Sequence, residues 1–229
     1  MIFLEMVNDY PVAVRNWLGN SGIIGKERIK EVSLKQKGKL RLQPDQKWSD
    51  AEAKQEFNID EPSFIWELKT SMKGLPVSGR DIFQKGKGSM KIRIAGIIPV
   101  VNLKDDPKLN ESTLQRYLGE IIWFPSAALS SYISWRHIDN NTAEATMNYM
   151  GTIGKGIFSF DEEGNLRKFT SYRYKDIKDK NRTEWIAEVL DTDTVNGVKI
   201  PVKLQASWIL GDNKFTWFIF TISDLKYNY

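Results

Sequence analysis

The chain has 229 residues, no cysteine and one histidine, with 33 Lys and Arg against 29 Asp and Glu for a formal charge of +4. Without cysteine there is no thiol catalysis and no thiolate metal site, and one histidine is too few for a zinc or copper centre, so neither metal nor cofactor is expected. No Pro/Gly/Ser linker divides the chain, and a single domain over 1–229 buries roughly 70 to 75% of its unfolded surface without a covalent or metal staple.

The opening residues, Met1 to Tyr10, are too few and too acidic for a secretory signal, and no run reaches the roughly 18 to 20 apolar residues of a membrane-spanning helix. As written the chain reads as soluble and cytoplasmic, or periplasmic if a leader was trimmed. A short helix is expected over 10–18, with Pro11 in its first turn, Val14, Trp17 and Leu18 on one face, and Gly19-Asn20-Ser21-Gly22 as its stop. Val32, Leu34, Leu40 and Leu42 then alternate with Lys35, Lys37, Lys39 and Arg41, the period of a half-buried strand. The lysines form a weak basic stripe, read as a wet strand face rather than a phosphate or lipid site.

Phe64, Trp66, Leu68 and Met72 repeat the alternation; so do Asp81 and Phe83 against Arg80 and Ile82, and Met90, Ile92 and Ile94 against Lys91 and Arg93. Gly74, Gly86-Lys87-Gly88 and Gly96 punctuate these runs at the spacing of an antiparallel meander. A helix is expected over 112–124, where Leu114, Tyr117, Leu118, Ile121 and Ile122 recur at three- and four-residue steps, with Ser112 or Thr113 as cap and Pro125 near the end. Strands follow over 132–138, 142–150, 153–160 and 165–175. Asn196-Gly197 is the strongest hairpin signal, leading into a long strand over 198–210 and a last one over 215–225 that is apolar on both faces.

One substantial helix against about eleven strands is more sheet than a helix covers flat. The expected fold is therefore mainly β (α+β): a strongly curved antiparallel sheet or half-barrel wrapped on a central helix, with a short N-terminal helix. Such a shape encloses a cavity or a groove.

No motif names its chemistry. His137 could act as a base with Asp139 as orienter, yet the two flank a turn and no nucleophile accompanies them. Asp191 to Gly197 opens like a calcium loop, then fails at Val195, at Asn196 and at the missing twelfth-position glutamate. Gly151 to Gly156 has glycines too closely spaced for a phosphate loop. What remains is a set of charges in apolar surroundings, Arg80, Asp81, Arg116, Glu120, Arg136, Glu144, Arg173, Asp176 and Glu184, read by default as structural salt bridges, together with aromatics around Trp123, Phe124 and Trp135. Trp123-Phe124-Pro125 reads either as a core plug or as the lip of an apolar pocket. Nothing in the chain supports a nucleic-acid interface.

Several segments together resemble an uncharacterised bacterial family, domain of unknown function 6544. They are Pro11 to Leu18, Gly74 to Val77 with Arg80-Asp81, Gly86 to Met90, Arg116 to Glu120 with Trp123-Phe124-Pro125, Trp135 with Ile138-Asp139, Phe158 to Gly164 and Gly197 to Pro201. The resemblance runs nearly end to end and implies no reaction and no catalytic residue. The strand meander around a helix also looks like the half-barrels of periplasmic lipoprotein carriers, a likeness of architecture alone. Three functions stay open. The first is a non-catalytic module binding an apolar or amphiphilic, lipid-like molecule between sheet and helix, with Arg80, Asp81, Arg116, Glu120, Trp123, Phe124, Trp135 and Arg173 as ligand-binding candidates. The second is a hydrolase or isomerase using Asp81, Glu120 or Asp139 with arginine. The third is a scaffold or partner-binding protein. Oligomeric state is not legible.

Overall fold

The computed structural model describes all residues, 1–229. A single turn of 3-10 helix, Leu4–Val7, precedes α1 (Val12–Asn20), in which Ala13, Val14, Trp17 and Leu18 are buried. Six strands follow: β1 (Glu31–Leu40), β2 (Ser49–Asn58), β3 (Ser63–Met72), β4 (Leu75–Gln84), β5 (Lys87–Ile94) and β6 (Ile98–Lys104). After α2 (Pro107–Glu120) and two 3-10 segments, Ile121–Trp123 and Pro125–Leu129, come β7 (Ile133–Asp139), β8 (Thr142–Tyr149), β9 (Thr152–Phe160) and β10 (Leu166–Arg173). The last three are β11 (Thr183–Val195), β12 (Val198–Leu210) and β13 (Asn213–Asn228).

All thirteen strands lie in one antiparallel sheet, ordered β6-β5-β4-β3-β2-β1-β13-β12-β11-β10-β9-β8-β7. Two meanders are thus joined where the first strand pairs with the last, with Gln36 opposite Ile222 and Lys39 opposite Ile219. The free edges are β6 and β7, and the chain passes between them through α2 and the 3-10 segments, across the concave side. The expected curved sheet on a central helix is what forms. It has thirteen strands where about eleven were expected; β2 and β6 were not marked, and β11 was implied only as the strand leading into the Asn196-Gly197 turn.

Curvature brings the arms together at one end. The Thr152 hydroxyl at the start of β9 donates to the Gly86 carbonyl of the β4–β5 turn at 2.7 Å. Helix α2 lies across the gap, packed on β4 and β5 to one side and on β8, β9 and β10 to the other. Glycines make this approach feasible. A Cβ on Gly88 would stand 2.5 Å from Thr113 Oγ1, and one on Gly154 would stand 2.6 Å from Gln115 Cγ. The glycine-rich stretch at 151–156 is accordingly a strand that admits a helix.

The helix begins five residues before its expected start. Asp106 is the cap, its carboxylate accepting from the Lys108 and Leu109 amides at 2.9 and 3.3 Å, with Pro107 in the first turn. Ser112 and Thr113 serve elsewhere: Ser112 donates to the Tyr174 carbonyl and Thr113 to that of Leu109. The apolar stripe is as expected, with Leu114, Tyr117, Leu118, Ile121 and Ile122 all buried in a 45-residue core. On the convex side Lys35, Lys37 and Lys39 reach Asp224, Glu52 and Asp50. Leu42 lies beyond the end of β1 and is exposed, outside the buried row it was expected to extend.

Candidate functional site in the concave face

Alternation decides which strand residues look inward. On β1 and β2 these are Gln36, Ala51, Ala53 and Gln55; on β3 and β4 they are Trp66, Leu68, Gly79 and Asp81, with Trp66 opposite Asp81 and Leu68 opposite Gly79. Helix α2 turns Arg116 and Glu120, one helical turn apart, towards this surface. The groups join in a continuous chain of hydrogen bonds. Trp66 Nε1 donates to Gln36 Oε1 at 2.8 Å, Gln36 Nε2 to Gln55 Oε1 at 3.0 Å, and Gln55 Nε2 to Glu120 Oε2 at 2.7 Å. Arg116 closes it, with Nε to Glu120 Oε1 and a terminal nitrogen to Asp81 Oδ2, each 2.9 Å. Its guanidinium also lies 4.4 Å from the Trp66 ring centre and 5.0 Å from that of Phe64.

Only 12 to 15% of these three charged side chains is exposed. Burial pushes both Asp81 and Glu120 above the usual carboxylate range, against the pull of Arg116. Arg116, shared between two enclosed carboxylates, is a structural tie whose charge favours their proton loss, and the desolvation that disfavours their charged form outweighs it.

Arg173, at the end of β10, approaches from the other arm. Its guanidinium lies 4.8 Å from the Trp185 ring centre and 6.0 Å from that of Trp208. One terminal nitrogen donates to the Ser112 carbonyl at 2.8 Å, and no carboxylate comes within ion-pair distance. Arg173 Nε and Trp185 Nε1 are buried without any acceptor. Burial, then the nearby Arg116 charge, holds the Arg173 pKa down to about 10. A desolvated guanidinium with a spare donor beside an indole with a spare donor is an anion-accepting arrangement in aromatic walls.

Of the eight sequence candidates, Asp81, Arg116, Glu120 and Arg173 meet here and four lie elsewhere. Arg80 follows Asp81 on β4 and must face the opposite way; it is exposed on the convex side and pairs with Glu67 at 3.2 Å. Trp123 and Phe124 are fully buried, Trp123 Nε1 bonding to the Pro201 carbonyl and Phe124 packing 4.8 Å from Phe57. They plug the closed half of the concavity instead of forming a lip. Trp135 packs against Trp17 and Phe158 and donates to the Ala128 carbonyl, on the α1 side of the core. His137 is exposed on β7, and Asp139 accepts from the Asn141 amide in the following turn, so neither joins the cluster. Gln36, Gln55, Trp66, Trp185 and Trp208 were not singled out from sequence. Gln36 and Gln55 carry a visible signal, polar residues at positions whose strand neighbours two away are apolar.

Beside the cluster the concave surface is apolar and partly open. Leu68, Met72, Ile92, Ile94 and Trp208 are half-buried, and Ala51, Ala53, Gly79 and Ala206 keep it shallow. Two grooves, about 340 and 310 Å³, lie apart from it among residues of the opposite alternation, one at Ser33, Glu56 and Ile65, the other at Lys37, Lys39 and Ile219 beside Trp48. No group of three or more His, Cys, Asp or Glu is arranged to hold a metal ion. No helix is long and apolar enough to cross a membrane.

A sheet with two free edges curled over one helix, with a charged cluster on its concave face, defines the structural class. Residues 8–227 match the Family of unknown function (DUF6920), and the chain belongs to that family. The end-to-end likeness to an uncharacterised family is thereby met, under the designation 6920 where the segments suggested 6544. No curated protein matches the chain. Among solved structures, a DUF1329 family protein from Desulfovibrio piger is similar with a TM-score of 0.53 and 8% identity, over 96% of this chain and 94% of that one. A LolA superfamily protein from Nitrosomonas europaea aligns with a TM-score of 0.47 and 12% identity, over 94% of each chain. The first likeness is one of fold.

Proposed function

We propose that the protein is a non-catalytic module that binds an amphiphilic molecule on the concave face, its apolar part along Leu68, Met72, Ile92 and Ile94 and its anionic head at Arg173. The observation that carries this reading is the state of Arg173: enclosed, without a carboxylate, its Nε unpaired beside the unpaired Trp185 Nε1. A half-buried cation whose Nε is closed off from every acceptor opposes folding, and a residue that opposes folding is understandable where it serves binding. Asp81, Arg116 and Glu120 hold one another, so they fix α2 against the sheet while Arg173 stays free to take an outside anion.

The test is a thermal-shift and native mass-spectrometry screen with fatty acids and phospholipids, on the wild type and on Arg173→Met. Wild type is expected to gain midpoint with a single-chain anionic amphiphile and to carry it into the gas phase. Arg173→Met should lose that shift while its ligand-free stability rises by about 1 kcal/mol, because a half-buried charge without a carboxylate partner has been removed. No shift with any amphiphile, or an undiminished shift in Arg173→Met, contradicts the reading.

A further inference from the structure

Leu75, Ile97, Ile98 and Val100 are 50 to 80% exposed. They belong to two neighbouring hairpin tips, β3–β4 and β5–β6. Leu75 pairs with Met72 and Ile98 with Ile94, and the Ala95 amide donates to the Pro76 carbonyl at 2.8 Å, binding the tips side by side. Directly opposed residues share a face, so Leu75 and Ile98 lie on the concave side with Met72 and Ile94; with Ile97 in the β5–β6 turn and Val100 on β6, the exposed side chains gather at the adjoining tips as one apolar knuckle.

The charge around the knuckle has one sign. Residues 68–80 and 86–104 contain seven Lys and Arg and no Asp or Glu. Arg80 and Lys87 pair with acids outside these stretches. Lys69, Lys73, Lys91, Arg93 and Lys104 are exposed and form no ion pair. Because the whole chain is only +4, everything outside this flap is net acidic. The positive field is thus concentrated where the exposed apolar side chains are.

From this juxtaposition we infer that the β3–β6 flap docks on an anionic lipid bilayer, the knuckle entering the headgroup layer and the unpaired cations meeting lipid phosphates. Apolar side chains at a tip gain by leaving water, and basic residues beside them gain from the negative surface potential; a membrane interface supplies both at once. Strand addition by a second copy is poorly served, since the free edge β6 carries Pro99 and its ladder to β5 breaks between Ile92 and Arg93. Docking in this way would present the concave face of β3–β5 to the bilayer, but the inference stands without the ligand reading above.

Flotation of the full chain with vesicles tests it, comparing phosphatidylcholine alone with phosphatidylcholine containing phosphatidylglycerol. The protein is expected to float with the anionic vesicles, to do so less as salt rises, and to stay in solution with the neutral ones. Ile97→Ser/Ile98→Ser should lower the partition by about tenfold at a melting midpoint little changed, since both side chains are more than half exposed. Lys73→Glu/Arg93→Glu should remove the salt dependence along with the binding. Equal flotation of Ile97→Ser/Ile98→Ser and wild type overturns the inference, as does failure to float with anionic vesicles at low salt. Binding to poly-glutamate as strong as to vesicles overturns it too, by making the partner an acidic polymer. Arg173→Met changes none of the exposed tip residues or their cations and should float like wild type, which separates this inference from the ligand reading.

Discussion

Phe169 occupies a tight place in the fold, an inward residue of β10 held between a helix and a strand. A Cβ on Gly119 of α2 would come within 2.7 Å of its ring, and one on Gly156 of β9 within 2.2 Å. The ring edge also meets Phe158 at 4.8 Å between centres. Neither glycine has an unusual φ, so both are small because something large lies against them. Gly156→Ala should therefore overpack the site and cost about 1–3 kcal/mol in a denaturant titration. Adding Phe169→Leu, which removes the obstructing ring edge, should recover part of that loss. If the two costs simply add, the clash is not what makes Gly156 necessary.

At the scale of elements, α2 depends on its start. Asp106 satisfies two of the amides that an α-helix leaves free at its N-terminus, and Pro107 presets the first turn. Asp106→Ala is expected to lower stability by about 1 kcal/mol. In native-state hydrogen exchange the amides of Lys108 and Leu109 should lose protection first; uniform loss across the sheet would mean that the cap acts through global packing. The start signal was present in the sequence but masked by the polar first turn, Lys108-Leu109-Asn110-Glu111, which breaks the apolar stripe used to locate the helix. Strand β2 was missed for a related reason. Its inward residues Ala51, Ala53 and Gln55 are small or polar because a shallow, hydrogen-bonded surface is needed there, and a strand lacking large apolar residues shows no alternation. Strand β6 contains Pro99 and sits on a free edge, where ladder hydrogen bonds are needed on one side only. Within the site, the Arg116–Glu120 pair was legible from its four-residue spacing, and the inward Asp81 from alternation. Alternation also places Arg80 outside, a consequence that grouping it with Asp81 overlooked. Arg173 meets Trp185 and Trp208 only because three strands align in register, which no local pattern encodes.

At the scale of the whole molecule, the two sets of carboxylates pull stability in opposite directions with pH. Asp105, Glu144 and Asp224 on the surface are held below the ordinary carboxylate range by hydrogen bonds to Lys87, Arg136 and Lys35. Their contribution is present above that range and lost as pH falls through their lowered values. Asp81 and Glu120 behave conversely. Burial raises them, so the folded state keeps their protons to higher pH than the unfolded chain does, and their contribution is full below about pH 4 and declines as pH rises through the raised values. Neutralising the buried cluster together, as Asp81→Asn/Arg116→Met/Glu120→Gln, removes this declining part without leaving Arg116 unpaired. The stability of that variant relative to wild type should therefore increase between about pH 4 and pH 7, by on the order of 1 kcal/mol for each unit by which the two groups are raised. Denaturant titrations of both proteins across this range measure the difference directly. A difference that shrinks as pH rises would mean that attraction to Arg116 outweighs burial, making the cluster a source of stability at neutral pH and removing the physical contrast that sets Arg173 apart.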